Sequence, residues 1–257
     1  MSQWVRQGLR TGTKTSPYPA QPDTSPGVTP GLPQGGTFAL GAAELLASRC
    51  PSGAITARNG QVVVDPGRCI HSYRCTRQIS SPLAFSRDYE WTLAASTDHH
   101  GGRLGKPFTR SVHLIVVDAG DCGACLNEVR QLNSPYYNMH RLGFFITPTP
   151  RHADILLVVG PVTDQMRAPL LKTYEAMPTP KKVIAVGTCA VSGGIFGPSF
   201  VSEAGVARVL PVDIAVPGQP PPPLAILHAL LTAVGRKAVR TAPVHQSVAD
   251  EKEHHGV

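Results

Sequence analysis

Three continuous apolar runs constrain the fold of this 257-residue chain more than anything else in it: VHLIVVDAG at 112–120, ADILLVVGPVT at 153–163 and KKVIAVGTCA at 181–190. None alternates apolar with polar residues, as a strand with one wet face does, and each is rich in β-branched residues and carries a glycine near its end. Continuous apolar strands are buried on both faces, which is the condition of parallel strands covered by helices. Helical stretches fall between and after them: 122–134, then 163–176 with Thr163 placed to cap and Pro178 beyond the end, then 222–236. Alternation of strand and helix predicts an open, doubly wound α/β sheet whose ligands sit beyond the carboxyl ends of its strands.

The remainder of the chain has a different character. Residues 16–36 hold six prolines and four glycines, and residues 1–36 as a whole read as an extended amino-terminal strap. Residues 37–85 read as a small module, with a helix in FALGAAELLASRC and a hairpin in ITARNGQVVVDPG turning at Asn59-Gly60. A polar linker, 86–110, contains Asp98, His99, His100, Gly101 and Gly102 and leads into the sheet domain at 111–236; a tail occupies 237–257.

Lys and Arg number 24 against 17 Asp and Glu, a net charge of +7, yet the basic residues are scattered and few aromatics interleave with them. That pattern does not point to nucleic acid as a partner. No apolar run approaches the roughly 20 residues of a membrane span. Neither a secretory apolar stretch nor an arginine pair opens the chain, so a cytoplasmic, reducing location is expected. Trp4, Val5 and Leu9 interleaved with Arg6, Arg10 and Lys14 suit either a solvated arm or a helix lying on a membrane surface or an integral membrane partner.

In a reducing compartment the six cysteines point to metal or catalysis rather than disulfides. Cys122 and Cys125 form a C-x-x-C directly after the first apolar run, and Cys189 follows the third, so all three belong at one sheet edge. Converging thiolates suit iron–sulfur or zinc rather than oxygen-seeking cations. A redox dithiol would have no use for Cys189, and buried inert cysteines are the plain alternative.

Four segments, DAGDCGACLNEV, RHADILLVVGPVTDQM, KKVIAVGTCAVSGGIF and PVDIAVPGQPPPPLAIL, occur in this order. In order and spacing they resemble the small electron-transfer subunit shared by respiratory complex I and membrane-bound, complex I-related [NiFe] hydrogenases. The resemblance implies a flavodoxin-like open parallel sheet and a [4Fe–4S] cluster held beside a catalytic large subunit. It also implies integral membrane subunits as partners, and a peripheral position on the cytoplasmic face of the inner membrane. Cys122, Cys125 and Cys189 match three of the family's four ligands. The fourth lies in a P-G-C-P-P turn, where this chain has Gln219 between Gly218 and Pro220. Three outcomes remain: a [4Fe–4S] cluster with water, hydroxide or the Gln219 oxygen on its fourth iron, a [3Fe–4S] cluster, or none. Glu128 matches an acidic residue of the hydrogenase-type members, and Arg151 with His152 matches a basic pair expected near the cluster.

The segments RTGTKTSPYP, CPSGAI and VVVDPGRCIHSYRC are similar to the ferredoxin-like subunit of the same machines, which makes the module a degenerate ferredoxin-like α+β unit fused to the sheet domain. Ferredoxin ligand order assigns Cys50, Cys69, position 72 and Cys75 to one cluster, and position 72 is Ser72. Zinc held by Cys50, Cys69, His71 and Cys75 is the structural alternative. The ligands of the other ferredoxin cluster are replaced by Leu40, Ala43, Leu46 and Ile79, as filling a vacated site requires. The function implied is electron relay to or from the large subunit. The alternative is a degenerate structural subunit that links the large subunit to a membrane arm.

Overall fold

The computed structural model describes residues 2–77, 80–94, 104 and 110–238. From the amino end, helix α1 (Gln3–Thr11) precedes the short strand β1 (Gly36–Thr37), helix α2 (Leu40–Ser48) and the hairpin β2 (Ile55–Arg58) and β3 (Gln61–Val64). Strand β4 (Leu93–Ala94) comes from the linker. The sheet domain contains β5 (Val112–Asp118), α3 (Ala124–Gln131), β6 (Phe144–Ile146), β7 (Ile155–Val159), α4 (Asp164–Ala176), β8 (Lys182–Val186), α5 (Thr188–Ser192), β9 (Ile214–Val216) and α6 (Pro223–Ala233).

The six-stranded sheet has the order β4-β9-β8-β7-β5-β6, and every pairing is parallel except that of β4 with β9. Its five parallel strands, numbered by themselves, follow the order 2-1-3-4-5 of flavodoxin-like folds. Residues 155–159 of β7, at the sheet centre, are buried on both faces, which is why their sequence shows no alternation. One face carries α3 and α6, with Val129, Leu132 and Leu227 packed against Leu114, Leu157 and Ile184. The other carries α4 and α5, through Leu170 and Ala190. A layer of helix on each side closes the core.

The Pro- and Gly-rich segment forms no regular element before an isolated bridge between Pro33 and Phe85, yet it is firmly seated. Tyr18 is fully buried in the core that contains α6, and the Asp23 carboxylate accepts hydrogen bonds from Ser16 (2.5 Å) and Tyr136 (2.8 Å). Burial pulls its pKa upward, but these partners outweigh it and hold the pKa below the ordinary carboxylate range.

In the module, β1-β3-β2 form an antiparallel sheet. Asn59 and Gly60 both take positive φ (50° and 78°), the geometry of a tight two-residue hairpin turn. Ala43 and Leu46 are buried against Ile55, Val62 and Leu83 and fill the core of the module. Leu40 is 63% exposed and fills nothing, because it opens α2 on the solvent side. Ile79 lies outside the described residues, as do Asp98, His99, His100, Gly101 and Gly102. No described residue of α1 is buried: Trp4 is 76% and Leu9 74% exposed. No helix among the described residues is long and apolar enough to cross a membrane.

Candidate metal centres

At the carboxyl edge of the sheet, β5 ends in a loop shaped by two carboxylates. Asp118 accepts the N–H groups of Gly120 (3.0 Å) and Asp121 (2.7 Å), and Asp121 accepts those of Gly123 and Leu126 (both 3.0 Å). The chain is thereby folded back into α3, leaving Cys122 exposed in the loop and Cys125 buried as the second helical residue. Two strands away, β8 ends at Gly187, whose φ of 93° turns the chain into α5 and makes Cys189 its second residue. The turn after β9 brings Gln219 alongside, its Oε1 3.9 Å from Cys189 Sγ.

Cys122, Cys125, Cys189 and Gln219 therefore share one edge. The thiols also feel one another's charge. Burial pushes Cys125 far above the ordinary thiol range, with Asp121, Cys189 and Cys122 adding to it, and Cys189 is raised by burial first and then by Cys122 and Asp121. Glycine is required between them: a Cβ on Gly187 would stand 2.4 Å from Cys125 Sγ, and one on Gly194 would stand 2.9 Å from Cys189 Sγ. The space around the sulfurs is kept open by residues without side chains. Glu128, half-buried on α3, is raised above the ordinary carboxylate range by burial.

The module gathers the other three thiols. Cys50 follows α2, Cys69 follows a single 3-10 turn (Pro66–Arg68) capped by the Asp65 carboxylate, and Cys75 lies in the next turn. Together with Ser72, His71 and Tyr73 they line one cavity. Burial, with the charges of Cys75 and Cys50, raises Cys69 to about 11, while the His71 backbone N–H works against that rise. The loop is strained where it turns: His71 and Tyr73 have φ of 52° and 56°. The stacked rings of Tyr73 and Phe85 (5.2 Å) and the bond between His71 Nε2 and the Gly31 carbonyl (2.9 Å) hold it. Burial lowers the His71 basicity, so the neutral ring donates from Nε2.

Soft donors brought together in two groups of three fit an iron–sulfur group by their chemistry. Among the described residues, no three His, Cys, Asp or Glu side chains are drawn into the ligand shell of a single ion. All six cysteines are free thiols.

Arg151 and His152 do not share this edge. They are exposed at the amino end of β7, a strand's length of about 15 Å from the thiols, because parallel strands put starts and ends on opposite sides. Two residues that no sequence motif singles out also matter. Trp91 Nε1 donates to the Pro217 carbonyl (2.9 Å) beside Gln219, and Thr188 sits fully buried beside Cys189. The contact of Trp91 is with a residue 126 positions away, so nothing local signals it. Thr188 is legible only as the small polar residue between a strand's end and Cys189.

A family model described as NADH ubiquinone oxidoreductase, 20 Kd subunit, matches residues 122–233, which include Cys122, Cys125, Cys189 and Gln219. The probable membrane-bound hydrogenase subunit mbhJ of Pyrococcus furiosus is 42% identical over 136 residues, 53% of this chain and 81% of its own. The chain belongs to the NADH ubiquinone oxidoreductase 20 Kd subunit family. Another relative, formate hydrogenlyase subunit 7 of Escherichia coli (strain K12), is 41% identical over 132 residues, 51% of this chain. The chain spans about half (52%) of the length of that relative. Among solved structures, a chain of the membrane-bound sulfane sulfur reductase, an archaeal respiratory membrane complex, aligns with 49% of this chain and 70% of its own at 28% identity and a TM-score of 0.45. The family match begins at Cys122, so the module and its thiols lie outside it.

Proposed function

We propose that this chain is an electron-relay subunit of a membrane-bound, complex I-like hydrogenase or quinone oxidoreductase. In this reading Cys122, Cys125 and Cys189 hold an iron–sulfur cluster at the sheet edge, and Cys50, Cys69 and Cys75 hold a second. The clusters supply one-electron storage; the chain itself makes no bond to a substrate. The observation that carries the reading is the pairing of Gly187 with Cys125: a Cβ at this left-handed position would stand 2.4 Å from the thiol sulfur, and the position lies between two cysteines whose helices follow separate strands. Gln219 Oε1 and the Ser72 hydroxyl stand where a fourth thiolate is missing. Each is a harder and less negative donor than sulfur, which sets the two sites apart from all-thiolate ones.

Burial of Cys125 and Cys189, with Asp121 adding to it, opposes thiolate formation, so loading with metal releases protons. The partners in this reading are a [NiFe]-hydrogenase-like or complex I-like large subunit and integral membrane subunits on the cytoplasmic face. The exposed apolar and basic faces of α1 fit the membrane side. Zinc on Cys50, Cys69, His71 and Cys75 is the competing occupant of the module. A second reading, a scaffold that has lost its wire, draws on the buried Ala43 and Leu46 where ferredoxin ligands would stand.

Anaerobic purification of the complex, with iron, zinc and acid-labile sulfide counts and EPR, separates the readings. Two paramagnetic iron centres are expected. Neither iron nor sulfide would sink the relay, and zinc alone would favour the scaffold.

A further inference from the structure

The two thiol groups are joined by one buried hydroxyl. Thr188 Oγ1 donates to the backbone carbonyl of Cys69 at 2.9 Å and accepts the N–H of Gly218 at 3.2 Å. The Thr188 N–H in turn donates to the Gly218 carbonyl at 2.8 Å. Thr188, the residue preceding the other group's Cys189, is thus tied to two other pieces of chain: the module's Cys69 and the turn that carries Gln219. Its exposure is 0%. One turn further along α5, Ser192 Oγ donates to the Gly67 carbonyl at 2.9 Å, so the segment from the 3-10 turn to Cys69 is bound to α5 at two points.

A buried hydroxyl that satisfies both its donor and its acceptor capacity is costly to replace, since its removal leaves the Cys69 carbonyl and the Gly218 N–H without partners away from water. A valine of the same shape would pack equally well. Nothing in the packing therefore calls for threonine here; the hydrogen bonds do. The route they make is short. From Cys69 Sγ it runs along that residue's own covalent bonds to its carbonyl oxygen, across one hydrogen bond to Thr188 Oγ1, and along covalent bonds again to Cys189 Sγ. Electronic coupling decays far less steeply along bonds than across van der Waals gaps.

We propose that Thr188 is the positioning residue that fixes the module's thiol group against the sheet-edge group, and that its hydroxyl is the single non-covalent link in the bonded route between them. The electronic half of this inference rests on the relay reading given above; the positional half does not. The test compares Thr188→Val and Thr188→Ser in the complete complex.

In the valine variant, amide exchange across residues 66–72 is expected to rise about tenfold or more, from the loss of a buried hydrogen bond. Exchange in β8 stays as in the parent. Iron content at both groups stays level, electron equilibration between them after flash reduction slows, and their EPR spin–spin splitting changes. Serine, which keeps the hydroxyl, restores exchange, equilibration and splitting to parental values. A valine variant with both groups filled and with parental equilibration and splitting overturns the inference. If the parent complex binds no iron, the relay reading fails by itself and the positional role is judged on exchange alone. Unchanged exchange in 66–72 then overturns it, and raised exchange that serine reverses sustains it.

Discussion

At the sheet edge, Cys125 and Cys189 sit at the starts of two helices fixed by parallel strands, and a glycine keeps the space between them clear. In the module, Cys69 and Cys75 sit in consecutive turns that depend on two left-handed residues, a ring stack and one histidine bond to the strap. Both groups have three thiols, but the first is set by strand geometry and the second by the individual contacts of its turns, to the strap and to α5. Ligands on strand ends inherit the rigidity of the whole core, whereas ligands on turns are only as firm as each turn's own partners. Losing one ligand should therefore cost the module more order than the sheet edge.

Gly187→Ala is the strongest way to break the sheet-edge side of this contrast. It forces a Cβ to within 2.4 Å of Cys125 Sγ at a φ of 93°, and should destabilise the domain by about 2 kcal/mol or more. Iron should leave the sheet-edge group alone, seen as the loss of one EPR signal while the other persists. Supplying the missing thiols sharpens the comparison. Gln219→Cys should slow iron loss to a chelator by about 10-fold or more and lower the reduction potential of its group. Ser72→Cys should act in the same direction with a larger gain in order, read as reduced amide exchange around residues 69–75.

A smaller effect concerns His228, fully buried on α6 against Thr92 and facing Glu90, Asp88 and Lys237. Burial dominates and lowers its pKa below 6.5, although the two carboxylates oppose this. Below pH 6.5 the unfolded chain therefore takes up a proton that the folded one refuses. Stability is full above 6.5 and falls as pH drops toward the folded value, by up to about 1.4 kcal/mol per unit. Denaturant midpoints between pH 7 and 5 should show this slope, and His228→Gln should flatten it. The smallest change is expected from replacing Arg151 and His152 with alanine. Both are exposed at the far edge, so stability should shift by less than about 0.5 kcal/mol and the sheet-edge potential should hold in redox titration.

Legibility in the sequence followed the same division. β5, β7 and β8 announce themselves because burial on both faces leaves an uninterrupted apolar run, and the three sheet-edge cysteines could be placed from those runs. β6, β9 and β4 are only two or three residues long and leave no period to detect. The helical setting of Cys189 was hidden because α5 has five residues and follows its strand after a single glycine. In the module, the Asn59-Gly60 turn was plain from two residues. The link from Cys69 to Thr188 joins positions 119 apart, and no local pattern encodes it. The strap read as composition alone, since proline and glycine forbid regular elements without saying which side chains will be buried; Tyr18 and Asp23 proved to be among them.

Strand β4 has a consequence for how such a chain could be divided. Its two residues, Leu93 and Ala94, come from the linker yet pair antiparallel with Ala215 and Ile214, covering the outer margin of the last parallel strand. An unpaired margin of this kind invites another molecule's strand to dock on it. Division of the chain ahead of β4 would leave that guard with the sheet domain, and division behind it would carry the guard away and leave the domain prone to sticking to its own copies. A cut that keeps this margin covered should therefore fall before residue 93.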